Sequence, residues 1–154
     1  ILGSQTRSLE LISAQRVAVT GNTIWRGYAH NLIVEGSRDV VVSSNTMDRN
    51  PRYSTQGRPI EKNAVVIRDS QDMVFSSNLL SQTRGTPAGL TVAGASRVNI
   101  TSNTIVDCDG PEILLRNVTY TRVSDCILHD PREDRPNIDT VGGDQILRTE
   151  NLTN

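Results

Sequence analysis

Apolar residues in this chain recur two apart, in pairs, and the pairs return at a fixed phase. Aligning Val17–Ile24, Val40–Met47, Met73–Leu80, Val98–Ile105 and Thr121–Leu128 brings Asn22, Asn45, Asn78, Asn103 and Cys126 to one position, numbered zero below. Successive zeros lie 23, 33, 25 and 23 residues apart. Position −13 then holds Leu9, Leu32, Val65, Leu90 and Ile113, and position −11 holds Leu11, Val34, Ile67, Val92 and Leu115. Position −5 holds Val17, Val40, Met73, Val98 and Thr121, and position −3 holds Val19, Val42, Phe75, Ile100 and Val123. Position +2 holds Ile24, Met47, Leu80, Ile105 and Leu128. Thr121 is the one polar residue in these five columns, in a chain that is 36% hydrophobic.

Alternate side chains of a strand point to opposite faces, so each apolar pair predicts a short strand with one face inward. Two pairs and a third short element at zero to +2 predict coils of three strands and three corners. The predicted fold is all-β: a right-handed parallel β-helix of about six coils, starting near residues 9, 32, 65, 90, 113 and 138, in a single domain spanning 1–154. Position −8, in the first corner, is small in four coils (Ala14, Ser37, Ser70, Ala95) and Val118 in the fifth. The zero position is the second corner, where Asn tolerates left-handed backbone angles and bonds locally. Stacking would set Asn22, Asn45, Asn78 and Asn103 about 4.8 Å apart as an amide ladder, with Cys126 ending the run. A sixth zero falls at Asn151; Ile138 and Ile146 fit their columns and Thr140 and Arg148 do not, so that coil reads as degenerate or capping. Ile1 sits eight residues before Leu9, as Ile24 does before Leu32. The chain thus reads as starting mid-coil, truncated at its N-terminus, with the remaining coils or domains of its parent as partners.

The repeat V-x-V/I-x-x-N-x-I, recurring every 22 or more residues from about Ile1 to Leu128, resembles the parallel β-helix repeat of the pectin-lyase-like superfamily. That resemblance implies the fold. For function it implies a range, since the superfamily holds lyases, hydrolases, epimerases, phage tailspikes and non-catalytic surface proteins.

Composition narrows the rest. Sixteen Lys and Arg stand against seventeen Asp and Glu, a balance that argues against nucleic acid as partner. No apolar run approaches the 18 residues of a membrane span, so no membrane insertion is expected. Cys108 and Cys126 are too few for a disulfide framework and fall at different places in the coil, predicting two free thiols. The sequons at Asn99, Asn117 and Asn151 carry meaning only in a eukaryotic secretory pathway. An extracellular, periplasmic or cell-surface location is expected.

All length variation falls between +2 and the next −13, in residues 25–31, 48–64, 81–89, 106–112 and 129–137. Coils stacked in register bring these loops to one edge, where solenoids concentrate function. The candidate sugar contacts there are Trp25, Tyr28 and Tyr53 for stacking, and Arg58, Lys62 and Arg84 for anionic groups. The candidate acid/base groups are Glu61, Asp107, Asp109, His129 and Asp130. With Glu112, the same carboxylates would also suit Ca²⁺; solvated turn chemistry, as in Asp109-Gly110-Pro111, is the plain alternative. Residues 130–133, Asp-Pro-Arg-Glu, resemble the Asp-Pro-His-Glu signature of uronate C5-epimerases with Arg132 in place of the His. The paired Asp of polygalacturonases and the R-x-P-x-x-R element of pectate lyases are absent from the sequence. Polysaccharide is the expected partner, met by a lyase, hydrolase or epimerase-like enzyme or, alternatively, by a non-catalytic adhesion, surface or scaffold module. Ile33, Val66 and Leu114 at outward position −12 predict an apolar stripe that calls for coverage, by the 17-residue loop 48–64 folding over it or by another subunit or domain; the β-branched preference of a strand is the plain alternative.

Overall fold

The computed structural model describes residues 2–4, 7–27, 29–48, 62–130 and 136–153. Strand β1 (Leu2–Ser4) precedes six coils. Coil one is β2 (Arg7–Ile12), β3 (Gln15–Thr20) and β4 (Thr23–Gly27); coil two is β5 (His30–Glu35), β6 (Arg38–Ser43) and β7 (Thr46–Asp48). Coil three is β8 (Ala64–Arg68), β9 (Gln71–Ser76) and β10 (Leu79–Ser81); coil four is β11 (Leu90–Ala93), β12 (Ser96–Thr101) and β13 (Thr104–Val106). In the last two coils the first two strands run on as one: β14 (Ile113–Ser124) with β15 (Ile127–His129), and β16 (Ile138–Thr149) with β17 (Leu152–Thr153).

Every strand pairing among the described residues is parallel, and the register is the sequence phase. Leu9, Leu32, Val65, Leu90, Ile113 and Ile138 are successive partners, as are Val17, Val40, Met73, Val98, Thr121 and Ile146. The third strands form their own sheet in the order β1-β4-β7-β10-β13-β15-β17. This is the right-handed parallel β-helix that the apolar columns predict. Its core is a prism of stacked aliphatic side chains around Phe75, with Ile24, Leu32, Val42, Ile67, Leu90, Ile105 and Leu128 fully buried. Thr121 is buried too, its hydroxyl donating to Thr119 O at 3.3 Å.

The first two corners of each coil are made by left-handed residues, two of them at the first corner and one at the second. Left-handed residues, φ +49° to +69°, recur at three fixed positions. Ser13, Gly36, Asp69, Gly94, Asn117 and Gly142 stand at −9; Arg16, Asp39, Asp72, Arg97, Tyr120 and Gln145 at −6; Gly21, Ser44, Ser77, Ser102, Asp125 and Glu150 at −1. One left-handed residue between extended ones swings the chain sharply without a loop. Gly, Asn, Asp and Ser fill the −9 column because they accept that conformation most readily. The zero Asn residues are not themselves left-handed; the residue before each one is. Their role is hydrogen bonding. Asn22, Asn45 and Asn78 each donate N–H and side-chain amide to Oδ1 of the Asn one coil on, at 3.0–3.1 Å. Beyond Cys126, whose N–H donates to Asn151 Oδ1 at 3.0 Å, the column resumes.

The small residues of the −8 corner have a parallel use. Ser37 and Ser70 accept the N–H of Ala14 and Ser37 at 3.0 and 3.1 Å on their hydroxyls. Val118 instead fills that corner with a buried aliphatic group, in the coil where the two strands merge.

The stripe at −12 is largely covered. Ile33 and Leu114 are buried and Val66 is half-buried. The chain itself covers these side chains, so they need no outside partner. Cys108 and Cys126 are free thiols, both inside the prism.

Candidate functional site

Tyr28, Tyr53, Arg58 and Glu61 lie outside the described residues. The others divide into three groups, and the division decides what chemistry the edge supports.

Trp25 and His129 are not loop residues. They are +3 positions on β4 and β15, and the third sheet extends one residue further than the apolar phase suggests. Trp25 pairs with Asp48 and is half-buried, and its carbonyl accepts from Ser8 Oγ at 3.3 Å. His129 pairs with Val106 and points outward beside Ile127, while Leu128 between them points in. It rims a shallow, largely apolar hollow of about 390 Å³ at the C-terminal end of this sheet, shared with Val106, Leu152 and Thr153.

The second group is an ion-paired unit on loops three and four. Arg84 donates from Nη2 to Asp107 Oδ2 at 2.8 Å and from Nη1 to the Asp107 carbonyl. Its Nη1 also stands 3.6 Å from Asp109 Oδ1, while Asp109 Oδ2 accepts the N–H of Gly85 at 2.8 Å. The backbone fixes this arrangement. Arg84 N–H donates to Lys62 O at 3.1 Å and Asp109 N–H to Thr83 O at 3.0 Å, so the loops stack as the coils do. Gly110 lets them approach: a Cβ there would lie 2.2 Å from Pro87 O. Lys62 is exposed beside this unit.

The third group is interior. Asp130 and Glu112 are buried, and Asn137 Nδ2 donates to Glu112 Oε2 at 2.9 Å and to Leu128 O at 3.4 Å. Cys108 lies in the same region, near Thr83 and Glu112, and burial pushes its thiol up to about 11. The expected single cluster of Asp107, Asp109, Glu112, His129 and Asp130 is therefore split. Two carboxylates face Arg84 at the surface, two lie in the interior, and the imidazole stands on the outer sheet face. Among the described residues no three His, Cys, Asp or Glu side chains stand close enough to hold a metal ion.

Sequence reasoning passed over the pairings that organise the edge. Arg84 and Asp107 are 23 residues apart and Glu112 and Asn137 are 25 apart, each one repeat length. Searching for opposite or complementary side chains one coil apart would have found both. The other histidine, His30, begins β5; burial and the nearby Arg7, Arg68 and Lys62 lower its pKa.

A three-cornered parallel β-helix with short strands stacked in register defines a right-handed β-solenoid protein. The family described as "Periplasmic copper-binding protein (NosD)" matches residues 8–133, and the chain belongs to that family. No curated protein matches it in sequence. Among solved structures it is similar to a protein from Parabacteroides merdae described as a glycosyl hydrolase, with 8% identity and a TM-score of 0.61, covering 96% of this chain and 82% of that one. It is also similar to the A-module of a mannuronan C-5 epimerase from Azotobacter vinelandii, with 14% identity and a TM-score of 0.57. There it covers 95% of this chain and 55% of the module. At these identities the likeness is one of fold.

The family's name raises copper, and the donor set here does not fit it. Copper takes thiolate, thioether and imidazole ligands. The thiols are protonated and buried, and the two imidazoles stand on different sheets.

Proposed function

We propose that this chain is the polysaccharide-binding portion of a periplasmic, secreted or surface β-helix protein, and that its described edge binds glycan rather than cleaving it. The observation that carries this reading is the Arg84–Asp107–Asp109 unit. An acid catalyst must hold a proton to give away, and its partner must be free to attack or to activate water. Asp107 and Asp109 are instead engaged as acceptors of Arg84 and of Gly85 N–H. A rigid, ordered charge array on stacked loops suits recognition, because its side chains lose little freedom when a ligand docks. Exposed Lys62 and His129, half-buried Trp25 and the edge of Arg84 offer cationic and aromatic contacts along the coil axis. A repeating sugar chain could span successive coils. The descriptions of the two structural neighbours, a glycosyl hydrolase and a mannuronan epimerase, support a glycan ligand, and that of the family supports a periplasmic setting.

The test is a panel of neutral and uronate polysaccharides, with and without Ca²⁺, read by affinity electrophoresis, reducing-end release and absorbance at 235 nm. Retardation on one or more polysaccharides without product is expected, weakened by Lys62→Ala and Arg84→Ala. Failure to bind any member would remove the proposal. New reducing ends or unsaturated product, lost in Asp107→Asn, would replace binding by hydrolase or lyase chemistry.

A further inference from the structure

We infer that this chain holds no specific copper ion through sulfur or imidazole: its four sulfur donors are built into the core and its two imidazoles stand coils apart. The sequence contains two Cys, two Met and two His, and all six lie among the described residues. The accounting is therefore complete for the sulfur and imidazole donors that copper favours.

The sulfur donors come first. Met47 and Met73 are about 1% exposed. Met47 stacks between Ile24 and Leu80, and Met73 between Val40 and Val98, so both thioethers occupy aliphatic columns. Cys108 is fully buried and Cys126 nearly so. The Cys126 thiol donates to Ser124 O at 3.3 Å, and Asn103 Nδ2 faces its sulfur at 4.0 Å. A thiol binds metal as thiolate. Burial raises the pKa of both cysteines, so reaching either would require unfolding the coil and ionising a buried thiol.

The imidazoles fare no better. His30 belongs to coil two and His129 to coil five, on different sheets. Three coil steps of about 4.8 Å separate their levels, on the order of 14 Å, far beyond two ligands of one ion. His30 is half-buried, and its burial together with Arg7, Arg68 and Lys62, opposed by Glu10, disfavours positive charge at the ring. His129 is exposed, and among the described residues no group of three His, Cys, Asp or Glu side chains forms around it to hold a metal ion. A copper site built from thiolate, thioether or paired imidazole ligands is thus not offered by the folded chain.

Competition with a chromogenic chelator tests this directly. The folded chain is titrated into Cu(I)–bicinchoninate under reductant, and into Cu(II) with excess glycine, with circular dichroism as the check on folding. The expected result is an unchanged Cu(I) absorbance and no Cu(II) retained after gel filtration. In urea, where both thiols become reactive to a disulfide reagent, the same chain should withdraw Cu(I), and Cys108→Ser/Cys126→Ser should not. Withdrawal of one equivalent of either ion by the folded chain would overturn the inference, and loss of that binding in His30→Asn, His129→Asn or Met73→Leu would locate the site.

Discussion

Asn78 donates twice to one atom of Asn103: its backbone N–H and its side-chain amide both end on Oδ1, at 3.0 and 3.1 Å. The Asn78 amide also donates to Val42 O at 3.0 Å, while its own Oδ1 receives the same two donors from Asn45. One buried side chain thus satisfies the backbone of the coil before it and is anchored by the coil after it. This makes the column a cooperative structure, since each amide orients the next.

Asn78→Ala should therefore be costly. It strands the Asn45 N–H and the Val42 carbonyl in the core, and each orphaned buried group costs about 1–3 kcal/mol. A loss of several kcal/mol in urea unfolding is expected. The column has one weak step, because Cys126 offers Asn103 only a sulfur at 4.0 Å. Cys126→Asn supplies an amide acceptor there and should raise stability by about 1 kcal/mol, a few degrees in Tm for a domain of this size. Equal or lower Tm for Cys126→Asn would mean the column is not the stabilising element described.

Gly110→Ala tests the packing of the edge. The added Cβ would stand 2.2 Å from Pro87 O and 3.0 Å from Ala88 N, backbone atoms that cannot swing away. The expected cost is about 1–3 kcal/mol for overpacking. Loops three and four should separate, and glycan affinity should fall even though no ligand contact has been removed. Unchanged stability and unchanged hydrogen exchange at Gly85 and Asp109 would show that the loops are not held by this approach.

Cys108 gives the fold a pH dependence at the alkaline end. Its folded pKa is about 11 against an ordinary 9.0, with burial the largest cause. Below pH 9 both folded and unfolded chains keep the proton and stability is undiminished. Between about 9 and 11 the unfolded chain releases a proton that the folded chain retains, so stability falls as pH rises, by about 1.4 kcal/mol per unit. Cys126 is shifted in the same direction by its own burial. Urea midpoints at pH 8, 9.5 and 11 should fall more steeply for the parent chain than for Cys108→Ala. Parallel curves would contradict a buried, protonated thiol.

The fold was legible because a parallel β-helix repeats one burial pattern, and a period of 23 to 33 residues exposes it in the sequence. Leu9, Leu32, Val65, Leu90 and Ile113 needed no structure to be aligned. The site was less legible for two reasons. Charged residues at an edge respond to partners one coil away, as Arg84 does to Asp107, and a linear reading of each loop treats them singly. The inward or outward sense of a residue just past a strand depends on how far that strand extends. So His129 turned outward, Asp130 and Glu112 turned in, and the expected carboxylate cluster divided. The same limit explains Ile33 and Leu114: alternation marks them as outward, but only the three-dimensional course of the chain shows that they are covered.

Coil six departs from the apolar columns. Position −3, filled by Val19, Val42, Phe75, Ile100 and Val123, passes to Arg148, the register partner of Val123. Its guanidinium donates from Nη1 to Ile138 O at 3.2 Å and from Nη2 to Thr140 Oγ1, reaching from the second half of β16 back to the first. Thr140 in turn occupies the −11 column above Leu115. Two polar side chains tied to each other thus lie over the aliphatic layer of coil five, and β16 carries Val141 and Leu147 exposed beside them. Unpaired parallel edges invite further strands, and charge at the edge is what discourages them. Thr140→Val/Arg148→Leu should restore the apolar columns at the open end without burying a charge. Such a variant should keep its circular dichroism spectrum but associate with rising concentration in light scattering, more than the parent chain does. Arg148→Ala alone, at an exposed position, should cost no more than about 1 kcal/mol. If the double variant were as dispersed as the parent at every concentration, the Arg148–Thr140 bridge would not be what keeps this end apart.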